Sequence, residues 1–151
     1  MTDALSVQKS FLFKETIEVL EFTMQANNVK LIVVHGTTFD ADLSNKSKRT
    51  VIINPNFNTT FSLPFRIAHE LAHVLYGENS KTYLFSPLSK KTEETNANLL
   101  GIKLLSDIFF SEYTSNTQRW ENRFNFIEVF DLHPLTHLVE RVLLENTQIS
   151  S

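Results

Sequence analysis

Apolar positions along the first part of the chain change period once, from helical to extended, and that change outlines the fold. Across residues 6–27, Phe13, Ile17, Leu20 and Met24 recur three or four apart and would line one face of a helix. Leu31-Ile32-Val33-Val34 is a continuous apolar run, as expected of a buried strand. Val51-Ile52-Ile53 is a second strand, stopped by Asn54-Pro55. Phe57 to Phe61 reads as a third strand, at a sheet edge. Helical spacing returns with Ile67, Leu71, Val74 and Leu75. Ser62 is placed to N-cap this helix, and Pro64 falls in its first turn, where a missing N–H costs little. Gly77 can end it as a left-handed cap. Thr92 to Leu105 and segments near 117–130 and 134–146 complete the helices. A helix, a few strands and then helices predict an α+β fold, with a small β-sheet against a helical core.

The helix over Ile67–Leu75 carries His69-Glu70-Leu71-Ala72-His73. Residues four apart share a helix face, so the two imidazoles can grip one ion. Glu70 lies about 100° round the helix from His69 and flanks that face. There it can reach a water on the ion without ligating the ion itself. Zinc held by three protein ligands keeps a fourth position for water and lowers the water's pKa to about 7. A carboxylate that takes the proton as that water attacks a carbonyl completes the chemistry of zinc-dependent peptide hydrolysis. Two core histidines on an amphipathic helix would give the same pattern without a metal, and a partner ligand decides between these readings.

Composition narrows the rest. A chain of 151 residues, 42% hydrophobic, is long enough for one domain with its own core, here read as 1–151, and its thirteen Phe predict a Phe-rich one. A net charge of −3 gives no electrostatic case for direct nucleic-acid binding. Lys46-Ser47-Lys48-Arg49, set among Ser and Asn, reads as a solvated loop. With no cysteine, neither a disulfide framework nor a thiolate metal site can form. Met1 to Ser10 has no apolar signal core, and no apolar run is long enough for a bilayer. A cytoplasmic protein with no membrane association is therefore expected.

The site can be completed in three ways, each with a different source for the third ligand. The pattern H-E-x-x-H-x-x-G-x-x-H fails, because Tyr76 and Asn79 stand where its glycine and last ligand would be. His133 or His137 could return in space, but neither lies in a ligand motif. A carboxylate on the next helix remains, and Thr92-Glu93-Glu94-Thr95-Asn96-Ala97-Asn98 offers two. Glu94 shares its face with Asn98, so Glu94 can ligate while the Asn98 amide accepts from the outer N–H of His69 or His73. Glu93 shares its face with Ala97, and reads as an ordinary acid near a helix N-terminus.

Ile52-Ile53-Asn54, then Phe65-Arg66-Ile67-Ala68-His69-Glu70-Leu71-Ala72-His73-Val74-Leu75, then Glu94-x-x-Ala97-Asn98-x-x-Gly101-x-x-Leu104-Leu105 resemble the ImmA/IrrE-type metallopeptidases. The resemblance is strongest over 50–105 and extends to Phe130-Asp131-Leu132-His133-Pro134 and Arg141-Val142. Ala72 replaces a usual glycine, Leu100-Gly101 replace Phe-Ala, and Ser106-Asp107 stand where a proline is usual. None of these touches the expected ligands or base. The resemblance implies a gluzincin-like minimal metallopeptidase domain with Zn2+ on His69, His73 and Glu94 and with Glu70 as general base. It also implies a protein substrate in the cytoplasm: a helix-turn-helix repressor of a mobile element or stress regulon, whose cleavage switches transcription on. The alternative is a zinc-stabilised antirepressor that binds the repressor without cutting it. A second oxyanion donor would come from Tyr76, Tyr83, His133 or Arg123, and His35 reads as a strand-end residue. The edge strand after Asn54 is a place where substrate backbone could add by β-augmentation.

Overall fold

The computed structural model describes residues 2–77, 87–112 and 115–149. The chain opens with α1 (Thr2–Ala26), whose Leu20 and Met24 are fully buried while Phe13 and Ile17 pack against the core edge. The helix stops at Asn27-Asn28. Asn28 takes φ 58°, a left-handed conformation that asparagine tolerates, and the Val29 and Asn28 N–H groups bond back to Met24 and Gln25 carbonyls at 2.8 and 3.2 Å.

Three short strands come next: β1 (Lys30–Val33), β2 (Leu43–Asn45) and β3 (Thr50–Ile53). Their order is β1-β3-β2, with β1 parallel and β2 antiparallel to the central β3. Side chains alternate across the sheet, so Val51 and Ile53 point into the core while Ile52 faces outward in register with Ile32 and Leu43. Among the described residues, helices cover only the inner face. The Leu31–Val34 run is therefore not a buried strand: β1 is an edge, and Ile32, Val33 and Val34 are exposed. An apolar run reads the same whether its strand is covered on two sides or one. The third strand is Leu43–Asn45 and not Phe57–Phe61, which forms bends and loop before the next helix.

The helices of the remaining chain are α2 (Leu63–Tyr76), α3 (Pro87–Phe109), α4 (Asn116–Glu121), α5 (Arg123–Val129), a turn of 3-10 helix at His133–Leu135 and α6 (Thr136–Ile149). The fold is mostly helical with a small mixed sheet, the α+β architecture expected from the sequence. Helix α2 buries Ile67, Ala68, Leu71 and Val74 between the sheet and α3. At the far end Phe110, Phe126 and Phe130 are fully buried, with ring centroids 5.4 to 5.5 Å apart from one ring to the next. The Phe-rich core is thus real but partial, since Phe11, Phe22, Phe39 and Phe124 are exposed. Among the described residues, no helix is long and apolar enough to cross a membrane.

Candidate metal centre

Everything at the site depends on how α2 is held. Its start is anchored by Arg66, whose guanidinium donates to both carboxylate oxygens of Asp42 at 2.7 and 2.9 Å and to the Asn54 carbonyl at 2.7 Å. Asn54, at the end of β3, gathers the preceding loop. Its amide donates to the Thr37 and Asp40 carbonyls, its Oδ1 accepts from Gly36 and Asn56 N–H, and its own N–H donates to Asp42. The Arg66 and Asp42 side chains are only 11% and 7% exposed, so this pair fixes α2 against the sheet in a dry setting. The sequence singles out none of these three as a site residue, though Asn54 and Arg66 lie in the stretch that carries the resemblance.

The caps of α2 differ from expectation. Ser62 is at the N-cap, but its hydroxyl makes no capping bond and, among the described residues, is buried without a partner. Gly77 ends the helix with φ −66° and ψ 154°, extended and not left-handed, and its N–H donates to the His73 carbonyl. Glycine is needed there for space: a Cβ would lie 2.3 Å from the His73 carbonyl oxygen and 2.8 Å from Glu93 Oε1.

Helix α3 crosses α2 closely enough to complete the site. Gly101 faces His69, and a Cβ at 101 would sit 3.2 Å from the His69 backbone nitrogen and Cα. Two turns earlier, the Glu94 carboxylate spans both imidazoles, with Oε2 at 3.1 Å from His69 Nε2 and Oε1 at 3.1 Å from His73 Nε2. The imidazole rings stand edge to face, centroids 4.8 Å apart. His69, His73 and Glu94 thus bring one ligand atom each within 4.8 Å of one another, a group able to hold a metal ion. Two imidazole nitrogens and a carboxylate oxygen are the donor set that suits a borderline-soft divalent metal.

The charges are mutually adjusted. Hydrogen bonds from His69 and His73 hold the Glu94 carboxyl well below the usual carboxylate range. Burial works against a charged His73, but the bond and charge of Glu94, then Glu70 and Glu93, outweigh it and raise its pKa. Burial pushes the Glu70 carboxyl up, while the neighbouring His69 and His73 and the Ser44 side chain pull the other way and Glu94 adds to the rise. Glu70 therefore lies within electrostatic reach of all three ligand candidates, and Ser44 places β2 directly beside it. No sequence signal marks Ser44, because Leu-Ser-Asn carries no strand pattern. The edge strand next to the site is accordingly β2, not the segment after Asn54.

Other expectations resolve less favourably. The bond expected from Asn98 to a histidine is not made: among the described residues His69 Nδ1 is buried with no partner, and the acid near His73 Nδ1 is Glu93. The half-buried Asn98 keeps its place on α3 one turn after Glu94. His133 is exposed and pairs with Glu128 at 2.9 Å, and Arg123 pairs with Glu140 while stacked on Trp120, so both are engaged elsewhere. Tyr76 is exposed at the end of α2 and His35 is exposed after β1. Tyr83 and Asn79 lie outside the described residues.

A sheet-backed helix bearing H-E-x-x-H, closed by a carboxylate from a second helix, is the layout of a metallopeptidase. The chain belongs to the peptidase M78 family, described as the IrrE N-terminal-like domain, whose model matches residues 15–136. That match spans the whole site and supports a metallopeptidase-type function acting on protein. The curated proteins and the solved structures gave no match.

Proposed function

We propose that this protein is a zinc-dependent endopeptidase, one domain over 1–151, that cleaves a helix-turn-helix repressor in the cytoplasm and so relieves repression. The observation that carries the catalytic part is the meeting of His69 Nε2, His73 Nε2 and the Glu94 carboxylate within 4.8 Å, with Glu70 charge-coupled to all three. His69, His73 and Glu94 would hold the metal, which when bound supplies Lewis-acid polarisation of the scissile carbonyl and a water acidic enough to lose its proton near neutrality. Glu70 takes that proton as the water attacks, and later delivers it to the leaving amine. Burial of Glu70, which raises its proton affinity, suits a group that must first accept and then return a proton. Ser44 beside it restrains the carboxylate, and the outer edge of β2 offers backbone groups to an extended substrate.

The repressor as substrate rests on the likeness of the motifs to the ImmA/IrrE type. The test is incubation of zinc-loaded protein with the repressor encoded beside it, with Glu70→Gln as the control. A cut made only by the wild type supports the peptidase. Tight binding with no cut under any condition favours the non-cleaving antirepressor, and neither binding nor cutting removes this substrate while leaving the metal centre standing.

A further inference from the structure

We propose that Glu93 is a positioning residue for His73: its buried carboxylate accepts from His73 Nδ1, leaving Nε2 free to face Glu94 and a metal. This inference rests on the proposed metal centre and assigns to Glu93 the supporting role that the sequence suggests for Asn98.

The acid is not there for its helix. Helix α3 begins at Pro87, so Glu93 lies about two turns in, beyond the first turn where the dipole favours an anion. It is 9% exposed, and a carboxylate taken from water is costly unless a donor or positive charge meets it. Its location adds to that cost. Oε1 lies against the C-terminal end of α2, close to where a side chain on Gly77 would begin, and that end carries partial negative charge. Lys46, which donates to the Gly77 carbonyl, offsets part of this at the same corner. The ring nitrogen facing Glu93 is His73 Nδ1, 3.5 Å from Oε1, an ion-pair distance slightly longer than a tight hydrogen bond. Adjacent acids on one helix thus address the two nitrogens of one imidazole, Glu93 from the outer side and Glu94 from the inner.

That arrangement has a consequence for the ligand. An imidazole that binds metal through Nε2 must carry its proton on Nδ1, and an acceptor at Nδ1 selects that tautomer and fixes the ring angle. His73 has such an acceptor. Among the described residues His69 Nδ1 is buried without one, so the constraint they supply acts on His73.

Zinc affinity of the full chain, measured by chelator competition for wild type, Glu93→Ala, Glu93→Gln and Glu94→Ala, tests this. Glu93→Ala should weaken zinc about 10- to 100-fold, as for other groups that orient a ligand. Glu93→Gln should recover to within about tenfold of wild type, because its amide oxygen still accepts though it carries no charge. Glu94→Ala should lose zinc outright. In the zinc-loaded wild type and Glu93→Gln, NMR should show a slowly exchanging His73 Nδ1 proton. Glu93→Ala binding zinc as wild type does, or a folded Glu93→Gln as weak as Glu93→Ala, overturns the proposal. If Glu93→Ala does not fold, absence of the His73 Nδ1 proton in the wild type overturns it. A wild type that binds no zinc fails differently: it removes the metal centre itself.

Discussion

Glu70 and Glu94 are both carboxylates near the same two imidazoles, yet their surroundings push them in opposite directions. Glu94 is held ionised by bonds from His69 and His73, whereas burial raises the proton affinity of Glu70. An acid with lowered proton affinity suits ligation and an acid with raised proton affinity suits proton transfer. Glu70→Gln should therefore keep fold and metal, because the amide preserves shape, while turnover falls by about 10²- to 10⁴-fold. Metal content, thermal melting and cleavage rate measured on one preparation check this, and an active Glu70→Gln enzyme would remove the general-base role. His69→Ala and His73→Ala should each lose most of the metal, read by elemental analysis. Asn98→Ala should keep it, since no bond joins Asn98 to either histidine among the described residues. Treatment of the wild type with a chelator should abolish cleavage and leave helical content in place, because the core is built from Leu71, Ile102, Leu105 and the Phe cluster and not around an ion.

At the scale of elements, the site is a product of two contacts: α2 against the sheet and α2 against α3. Gly101 sets the second, and filling it should wedge the helices apart. Gly101→Leu must displace the His69 backbone, where even a Cβ would sit at 3.2 Å, and overpacking of this kind costs about 1–3 kcal/mol. Melting temperature and zinc affinity should fall together, since Glu94 moves away with α3. Gly101→Ala should be nearly neutral, because its gain in helix propensity, about 1 kcal/mol, offsets the tight contact. The first contact depends on the Asp42–Arg66 pair. Asp42→Ala leaves the buried guanidinium with the Asn54 carbonyl but no carboxylate, and the Asn54 N–H without its acceptor, and should cost about 3–5 kcal/mol in a denaturant titration. What is legible in the sequence divides along these lines. The helices are readable because Leu20, Met24, Ile67, Leu71 and Val74 repeat with helical period and are buried. The candidate ligand triad is readable because two of its members are four apart on one helix and the third lies in a motif. The sheet is less so. Leu43–Asn45 owes its strand conformation to pairing with β3 and to loop anchoring by Asn54, neither of which leaves an apolar alternation to read. Glu93 is misread from sequence because the helical spacing is read from Thr92 onward whereas α3 begins at Pro87, and a buried acid and a first-turn acid are the same letter.

For the molecule as a whole, the geometry bears on how selective cleavage should be. The strand beside Glu70 is only three residues long, Leu43–Asn45, and lies at the sheet edge. An extended substrate added there gains two or three backbone hydrogen bonds, each contributing about 1 kcal/mol net, which is little against the cost of ordering a free peptide. Backbone pairing alone cannot then hold an arbitrary unfolded chain, and productive binding needs further contacts from a structured partner. Exposed apolar side chains are available for them: Leu43 on that edge and, across the outer sheet face on β1, Ile32. The expectation is a narrow enzyme. Casein and random peptides should be cut slowly or not at all, and the proposed repressor should be cut at one position in a mobile segment of an otherwise folded protein. Leu43→Asp, which leaves His69, Glu70, His73 and Glu94 unaltered, should lower kcat/KM for the repressor at least tenfold, mostly through KM, with zinc affinity unchanged. Mass spectrometry of the products together with steady-state kinetics decides the matter. Rapid digestion of casein at many sites, or a Leu43→Asp variant as efficient as wild type, would show that specificity does not come from the surface around β2.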